Sequence, residues 1–382
     1  MKKRLRIAVL LLTGIVFFGT NQAQEEIIIG KKYTMRSAVL GEDRAYWVAL
    51  PADYSNSKYL PQQYPVVYLL DGDANFNSFT SLQQSLAKGP YAMIPQMIVV
   101  GVLNTDRTRD MTPTPAGRTA FYDKQQTMFR NSGGNASFIR FLEKELRPRI
   151  DSQFRTNGFN TLVGHSFGGL TAVNILLNHT PLFNSYIIID PSLWWDNEVI
   201  LRQADSLLPK KDFARRNIYV AHAWKEIVPQ DTTTDHQRAI RYFGDLLERT
   251  QPKGLRWHWQ YYPNEDHGTI TIPAAYDALK FIYKGQQVHV KQAVDDPDLV
   301  VRHYANLSKQ LGITVQPSEP YLDWMGNYCL TVNRPEPAIR FYQQSVAIYP
   351  RSKNTCLQLA KAWRQKGDTT LAAQWERRAE KL

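Results

Sequence analysis

The chain has 382 residues, 43% hydrophobic and 21% charged, which puts it among ordinary globular proteins and excludes a disordered, collagenous or disulfide-scaffold chain. The formal charge is +11, four of whose cations stand in the first six residues. The remaining excess is scattered in pairs such as Lys31-Lys32, Lys210-Lys211 and Arg215-Arg216, so it reads as a solvated surface and no nucleic-acid partner is expected. Two cysteines, Cys329 and Cys356, have no histidine nearby to complete a zinc site; they read as buried free thiols, with a disulfide as the alternative.

The N-terminus opens with Lys2, Lys3, Arg4 and Arg6, followed by an apolar run from Ile7 to Phe18 and a small residue, Ala23, suited to cleavage. This pattern predicts an export signal over residues 1–23 and a periplasmic or secreted mature protein. No later stretch approaches the roughly 18 apolar residues of a membrane span.

Residues 27–55 read as the antiparallel start of a sheet, with a strand at Ala45–Leu50. Tyr64–Leu70, Met97–Val102, Thr161–Val163, Tyr186–Ile189, Asn217–Ala221 and Trp257–Tyr262 are further strands. Most are uninterrupted apolar runs, the pattern of strands covered on both faces. Helical patterns lie between them at Phe76–Ala87, Phe138–Ile150, Gly169–Leu177 and Ala274–Tyr283, and a polar, Pro-rich loop runs from Asn104 to Gly117. Strands alternating with helices give an α/β fold with a mostly parallel sheet, in which ligands gather at the carboxyl ends of the strands.

Strand signals stop near residue 286 and helical ones continue to Leu382. Leu322, Gly326, Cys329, Ala338 and Tyr342 have counterparts 34 residues later at Cys356, Ala360, Trp363, Ala372 and Glu376. The period resembles the tetratricopeptide repeat, with an ordinary helical hairpin as the alternative. Two units are fewer than such repeats need alone, so the tail is expected to lean on the first domain or on a helix in 297–317. The expected organisation is a signal at 1–23, an α/β domain at 27–285 and a small all-α helical-repeat domain at 297–382.

The residues that carry chemistry follow strand ends. Gly164-His165-Ser166-Phe167-Gly168-Gly169 joins a strand to a helix, and a serine on such a tight turn needs tiny neighbours. Ser166 is therefore the candidate nucleophile, with the Phe167 amide as an oxyanion donor. His267, in the loop after the last strand, is the candidate general base; His258 lies within that strand, and His222 and His236 come too early in the chain. The acid is sought after the strand Asn217–Ala221, where Glu226 is nearest, Asp231 and Asp235 are rivals, and a Ser–His dyad is the alternative. The amide of Asp73 is the expected second oxyanion donor; Asp71 and Asp73 also read as a turn and helix cap. Trp194 and Trp195 read as a substrate-binding wall or as core. Arg107 reads as a carboxylate binder or as an ion-pair partner of Asp106 or Asp110. No HExxH or phosphate-loop motif is present, and neither a metal nor another cofactor is expected.

With these residues in view, the sequence resembles the esterase D family of α/β-hydrolases, in particular its branch of enterobactin-type siderophore esterases and exported bacterial esterases. The matching stretches are Val66–Asp73, Gly101–Pro113, Phe138–Ile150, Thr161–Leu170, Ile189–Asn197 and Tyr262–Gly268. The resemblance implies an α/β-hydrolase fold and a serine carboxylesterase acting on a small-molecule or glycan-linked ester. It carries the nucleophile to Ser166 and the base to His267. It reaches Glu226 only loosely, because Ala223-Trp224-Lys225 departs from the glycine-containing turn of the family. Two other functions fit the same residues: a scaffold that recruits a protein partner through its helical repeats, or an acyltransferase or peptidase using the same triad.

Overall fold

A computed structural model describes residues 26–116, 129–224 and 235–382. The export signal expected at 1–23 lies outside them. In chain order the elements are β1 (Lys31–Ser37), β2 (Glu42–Ala49), β3 (Tyr64–Leu69), α1 (Gly72–Leu86), β4 (Ile98–Val102), α2 (Arg107–Met111), α3 (Asn135–Phe141), α4 (Arg147–Gln153), β5 (Thr156–His165), α5 (Phe167–Asn178), β6 (Ser185–Ile189), α6 (Trp195–Leu207), β7 (Arg216–Ala223), α7 (Asp235–Thr250), β8 (Leu255–Tyr262) and α8 (Thr271–Ile282). A π-helical turn, Leu142–Leu146, joins α3 to α4. The loop expected from Asn104 onward contains the one-turn helix α2, because the Asp106 side chain accepts the Arg109 amide and caps it.

The strands form one eight-stranded sheet in the order β1-β2-β4-β3-β5-β6-β7-β8. β1 pairs antiparallel with β2, and β2 with β4; every other pair is parallel. The two-residue period of a strand deals its side chains to opposite faces. Val66, Tyr68 and Leu70 enter one core with Phe138, Phe141, Leu170 and Phe243, while Val67 and Leu69 enter the other with Phe76, Phe79, Ala274 and Leu279. Both faces are covered, which is why β3 has no polar alternation and is buried throughout.

Six helices follow: α9 (Val290–Asp295), α10 (Asp298–Leu311), α11 (Glu319–Thr331), α12 (Pro335–Ile348), α13 (Lys353–Lys366) and α14 (Thr369–Glu380). They close around a third core that includes Leu322, Met325, Phe341, Tyr342 and Leu359. α10 links this core to the sheet. Val300, Tyr304, Leu307 and Leu311 form one stripe of the helix, the first two packed in the third core and the last two in the core under α8. Polar contacts add to the attachment: Lys58 Nζ and Tyr59 Oη lie 2.7 and 2.8 Å from the Asp323 carboxylate, and the Leu60 amide donates to Glu319 at 3.0 Å. Burial is the main cause that pushes the Tyr59 phenol up to about 12. Cys329 and Cys356 are free and buried. Among the described residues, no helix is long and apolar enough to cross a membrane.

Gly326 marks a close approach of α11 and α12, since a Cβ there would meet the Tyr342 ring at 2.3 Å. Gly326→Ala is expected to cost about 1–3 kcal/mol of stability, read as a lower midpoint in urea unfolding. Unchanged unfolding would show that α11 and α12 have room to part.

Candidate active site

β5 runs directly into α5, and Ser166 is the residue between them, at φ 59° and ψ −116°. A non-glycine residue is strained in that region, and the surroundings hold it there. The Ser166 amide donates to the Ile189 carbonyl at 3.0 Å, while its own carbonyl accepts the Leu170 and Ser192 amides at 2.9 and 3.1 Å. The turn is crowded where the glycines stand. A Cβ on Gly164 would lie 2.2 Å from the Gly168 carbonyl oxygen, and one on Gly169 would lie 2.9 Å from Pro191. Gly168, expected to supply space, is the least crowded of the three, with nothing nearer than 3.5 Å. The Ser166 hydroxyl stands 3.1 Å from that of Ser192, a partner with no signal in the sequence beyond its place after a strand.

His267 follows β8 in a turn set by Asp266, whose Oδ1 accepts the Gly268 and Thr269 amides at 2.9 and 3.0 Å. Its ring lies 4.4 Å from that of His165, the residue before Ser166. Its Nδ1 lies 2.5 Å from Asp190 Oδ2. A carboxylate only accepts, so Nδ1 carries the proton, which in the neutral ring leaves the lone pair on Nε2. His236, at the start of α7, brings Nε2 to 2.9 Å from the same oxygen, and the Ala223 amide donates to Oδ1 at 3.0 Å. Burial by itself would raise the Asp190 carboxyl. The bonds from His236 and His267, with the Ala223 amide, outweigh it and hold the group well below the usual carboxylate range.

Among the described residues, the carboxylate on His267 is Asp190, after β6, one strand earlier than expected. Glu226 and Asp231 lie outside the described residues. Asp235 is exposed and pairs with Arg238 at 2.9 Å. His236, set aside as the base, is brought by α7 to Asp190, a contact that its chain position did not suggest. His222, by contrast, is buried and meets Gln237 at 2.6 Å, and His258 packs on Phe281 outside the site.

On the other side of Ser166, Phe167 opens α5 and Asp73 lies in the first turn of α1. Amides in a helix's first turn have no acceptor within the helix, so both are suited to meet an oxyanion. Asp71 does not cap α1 with its side chain. Instead it takes Arg107 through two bonds, Nε at 2.6 Å and a terminal nitrogen at 3.0 Å, plus Asn104 at 2.8 Å. Arg107 also reaches the His165 carbonyl at 3.3 Å and lies over the Phe167 ring. Arg107 therefore braces the turn; its ion-pair partner is Asp71, not Asp106 or Asp110. Trp195 is removed from substrate binding. It is fully buried, packs edge-on against Phe129 and Phe167, and donates to the Thr114 carbonyl at 3.2 Å. Trp194 is partly exposed and packs on Phe167 and Trp195. Asp190, His236 and His267 also group three possible metal-ligand atoms, each of which the hydrogen bonds above already engage.

Residues 37–239, more than half of the chain, match the model of the Esterase family. Among solved structures, the chain is similar to an IroE-like serine hydrolase from Shewanella oneidensis, with 35% sequence identity and a TM-score of 0.74 over 82% of this chain and 98% of that one. Among curated proteins it is 28% identical over 232 residues to the ferri-bacillibactin esterase BesA of Bacillus subtilis, covering 58% of this chain and 79% of that protein. It is 27% identical over 215 residues to the siderophore triacetylfusarinine C esterase of Aspergillus fumigatus, covering 52% and 70% respectively.

Burial, and then the nearness of His267, push His165 down to about 4. The unfolded chain takes a proton on this residue near the ordinary histidine value of about 6.5, which the folded chain refuses until far lower pH. Stability is thus full above that value and falls as pH drops through the window toward 4. In His165→Asn the loss between pH 7 and 4, measured by urea unfolding, is expected to shrink by on the order of 1–2 kcal/mol. An identical loss in both proteins would exclude His165 as its source.

Proposed function

We propose that this chain, which belongs to the Esterase family and hydrolyses ester bonds, works through an acyl-enzyme on Ser166. The observation that carries the reading is the contact of Asp190 Oδ2 with His267 Nδ1 at 2.5 Å, with the imidazole 4.4 Å from the ring of His165, the residue before a serine held at positive φ. Ser166 Oγ attacks the ester carbonyl carbon while His267 Nε2 takes its proton. The negative charge that develops on the carbonyl oxygen falls to the amides of Phe167 and Asp73. The intermediate collapses, the bond to the alcohol oxygen breaks, and His267 returns the proton to that oxygen. Water then repeats the sequence on the acyl-serine and frees the acid. Asp190 stays ionised and holds the imidazole in the tautomer that each step needs.

The relatives named above support a small-molecule ester of the siderophore type as substrate. Trp194 forms part of its wall in this reading. The leader pattern over residues 1–23 supports export. The organisation we adopt is an esterase domain at 27–285 followed by a tetratricopeptide-like unit at 297–382. α13 starts at Lys353, one 34-residue period after Glu319 of α11, which supports the repeat.

In Ser166→Ala, turnover of a p-nitrophenyl ester is expected to fall to background with the far-ultraviolet circular dichroism unchanged; retained turnover would reject the nucleophile. Asp190→Asn keeps the shape of the site and removes the charge, and is expected to lower kcat by roughly 10²–10⁴-fold. A loss of that size in Glu226→Gln, with Asp190→Asn near wild type, would return the acid to the loop after β7.

A further inference from the structure

A cavity of about 580 Å³ lies far from Ser166, between the amino ends of the parallel strands and the helical region. Tyr64, which opens β3, is on its wall. The elbow lies past the other end of the sheet, beyond the six residues of β3, roughly 20 Å away. A molecule in this cavity is therefore not the ester under attack.

The lining restricts the chemistry of an occupant. Tyr304, Tyr321, Trp324 and Tyr349 supply aromatic surface, and carboxamides supply most of the polar atoms. Asp53 is the one charged residue among the described lining. Its two oxygens already accept Gln96 Nε2 at 2.7 Å and Asn56 Nδ2 at 3.2 Å. An anionic ligand would find no counter-ion there and would pay its desolvation in full, and a cation would find only the Asp53 carboxylate, which neutral amides already engage. A purely apolar one would cover the amides without satisfying them. Four lining side chains carry a buried atom without a partner among the described residues: Gln62, Tyr283, Gln286 and Tyr321. Gln286 is 9% exposed, and its Nε2 donates to Tyr304 Oη at 2.9 Å while its Oε1 accepts nothing. The hydroxyl of Tyr321 is buried and equally unpaired.

We infer that this cavity is a second binding site, for a neutral oligosaccharide. Each sugar hydroxyl both donates and accepts, which suits a lining of carboxamides and phenols at once. The C–H faces of the rings pack on the aromatic walls. A proline-rich peptide shares the aromatic preference but has no N–H at its prolines to offer Gln286 Oε1. The volume lies within the range of small-ligand sites, which favour the seam between structural units. Bound there, a glycan anchors the enzyme and leaves the ester site open.

The test is calorimetric titration of the full chain with cello-, xylo-, malto- and chito-oligosaccharides. One series is expected to bind. Its Kd should rise at least about tenfold in Gln286→Leu and in the rim variant Trp324→Ala, the size of effect that follows loss of an anchoring contact. Turnover of a p-nitrophenyl ester, the check on folding, should stay near wild type in both. Binding should also persist in Ser166→Ala, which separates this site from the ester site. The inference is overturned by any of three results: no binding of any series at roughly 10 mM, far weaker than the millimolar affinities of weak ligands; equal binding in wild type and Trp324→Ala; or binding of a proline-rich peptide in place of the sugars.

Discussion

The site turns on one carboxylate. Asp190 is almost fully buried, and a buried anion persists only when its oxygens are filled with donors. Here the donors come from three separate parts of the chain: the Ala223 amide at the end of β7, His236 on α7 and His267 after β8. Each bond that keeps Asp190 ionised also fixes the position of an element packed against it. The same oxygen that sets the His267 tautomer thus ties together the carboxyl ends of β6, β7 and β8.

The serine side is held by different physics. Ser166 occupies a backbone region that costs energy, and the cost is met by close packing and hydrogen bonds. Gly164 gives way to the Gly168 carbonyl and Gly169 to Pro191, while the main chain of Ser166 bonds to Ile189, Leu170 and Ser192. The Arg107–Asp71 fork adds a brace across the loops after β3 and β4 and reaches the carbonyl of His165. Strain at the serine and order around it have one origin: three strand ends meet at a turn with no spare volume.

The helical region follows from how one helix divides its apolar stripe. Tyr304 and Val300 of α10 serve the third core, Leu307 and Leu311 the sheet's. Two rigid bodies joined along such a stripe, and by Lys58, Tyr59 and Leu60 to two buried carboxylates, do not match surfaces everywhere. The aromatic cavity is the part of the seam left unfilled.

How much could be read beforehand depended on the range of each signal. The buried strands, the Gly164–Gly169 turn and His267 were legible because each rests on neighbours a few residues away: an apolar run, a glycine where a Cβ would clash, a loop after the last strand. The all-helical tail was legible for the same reason, because strand signals stop near residue 286 and helical spacing continues. Asp190, His236, Ser192 and the Arg107–Asp71 pair were not. Asp190 and His236 are 46 residues apart and Asp71 and Arg107 are 36 apart, and nothing local in either segment names the other. Trp195 shows the same limit from the other side. Its neighbours in sequence suit a ligand wall as well as a core, and only the approach of Phe129 and Phe167 buries it. Local sterics and hydrophobic period are written in consecutive residues, so the sequence alone determined the elements and the elbow. Partner choice for a buried charge depends on which strand ends the sheet brings together, and that was decided only when the chain folded.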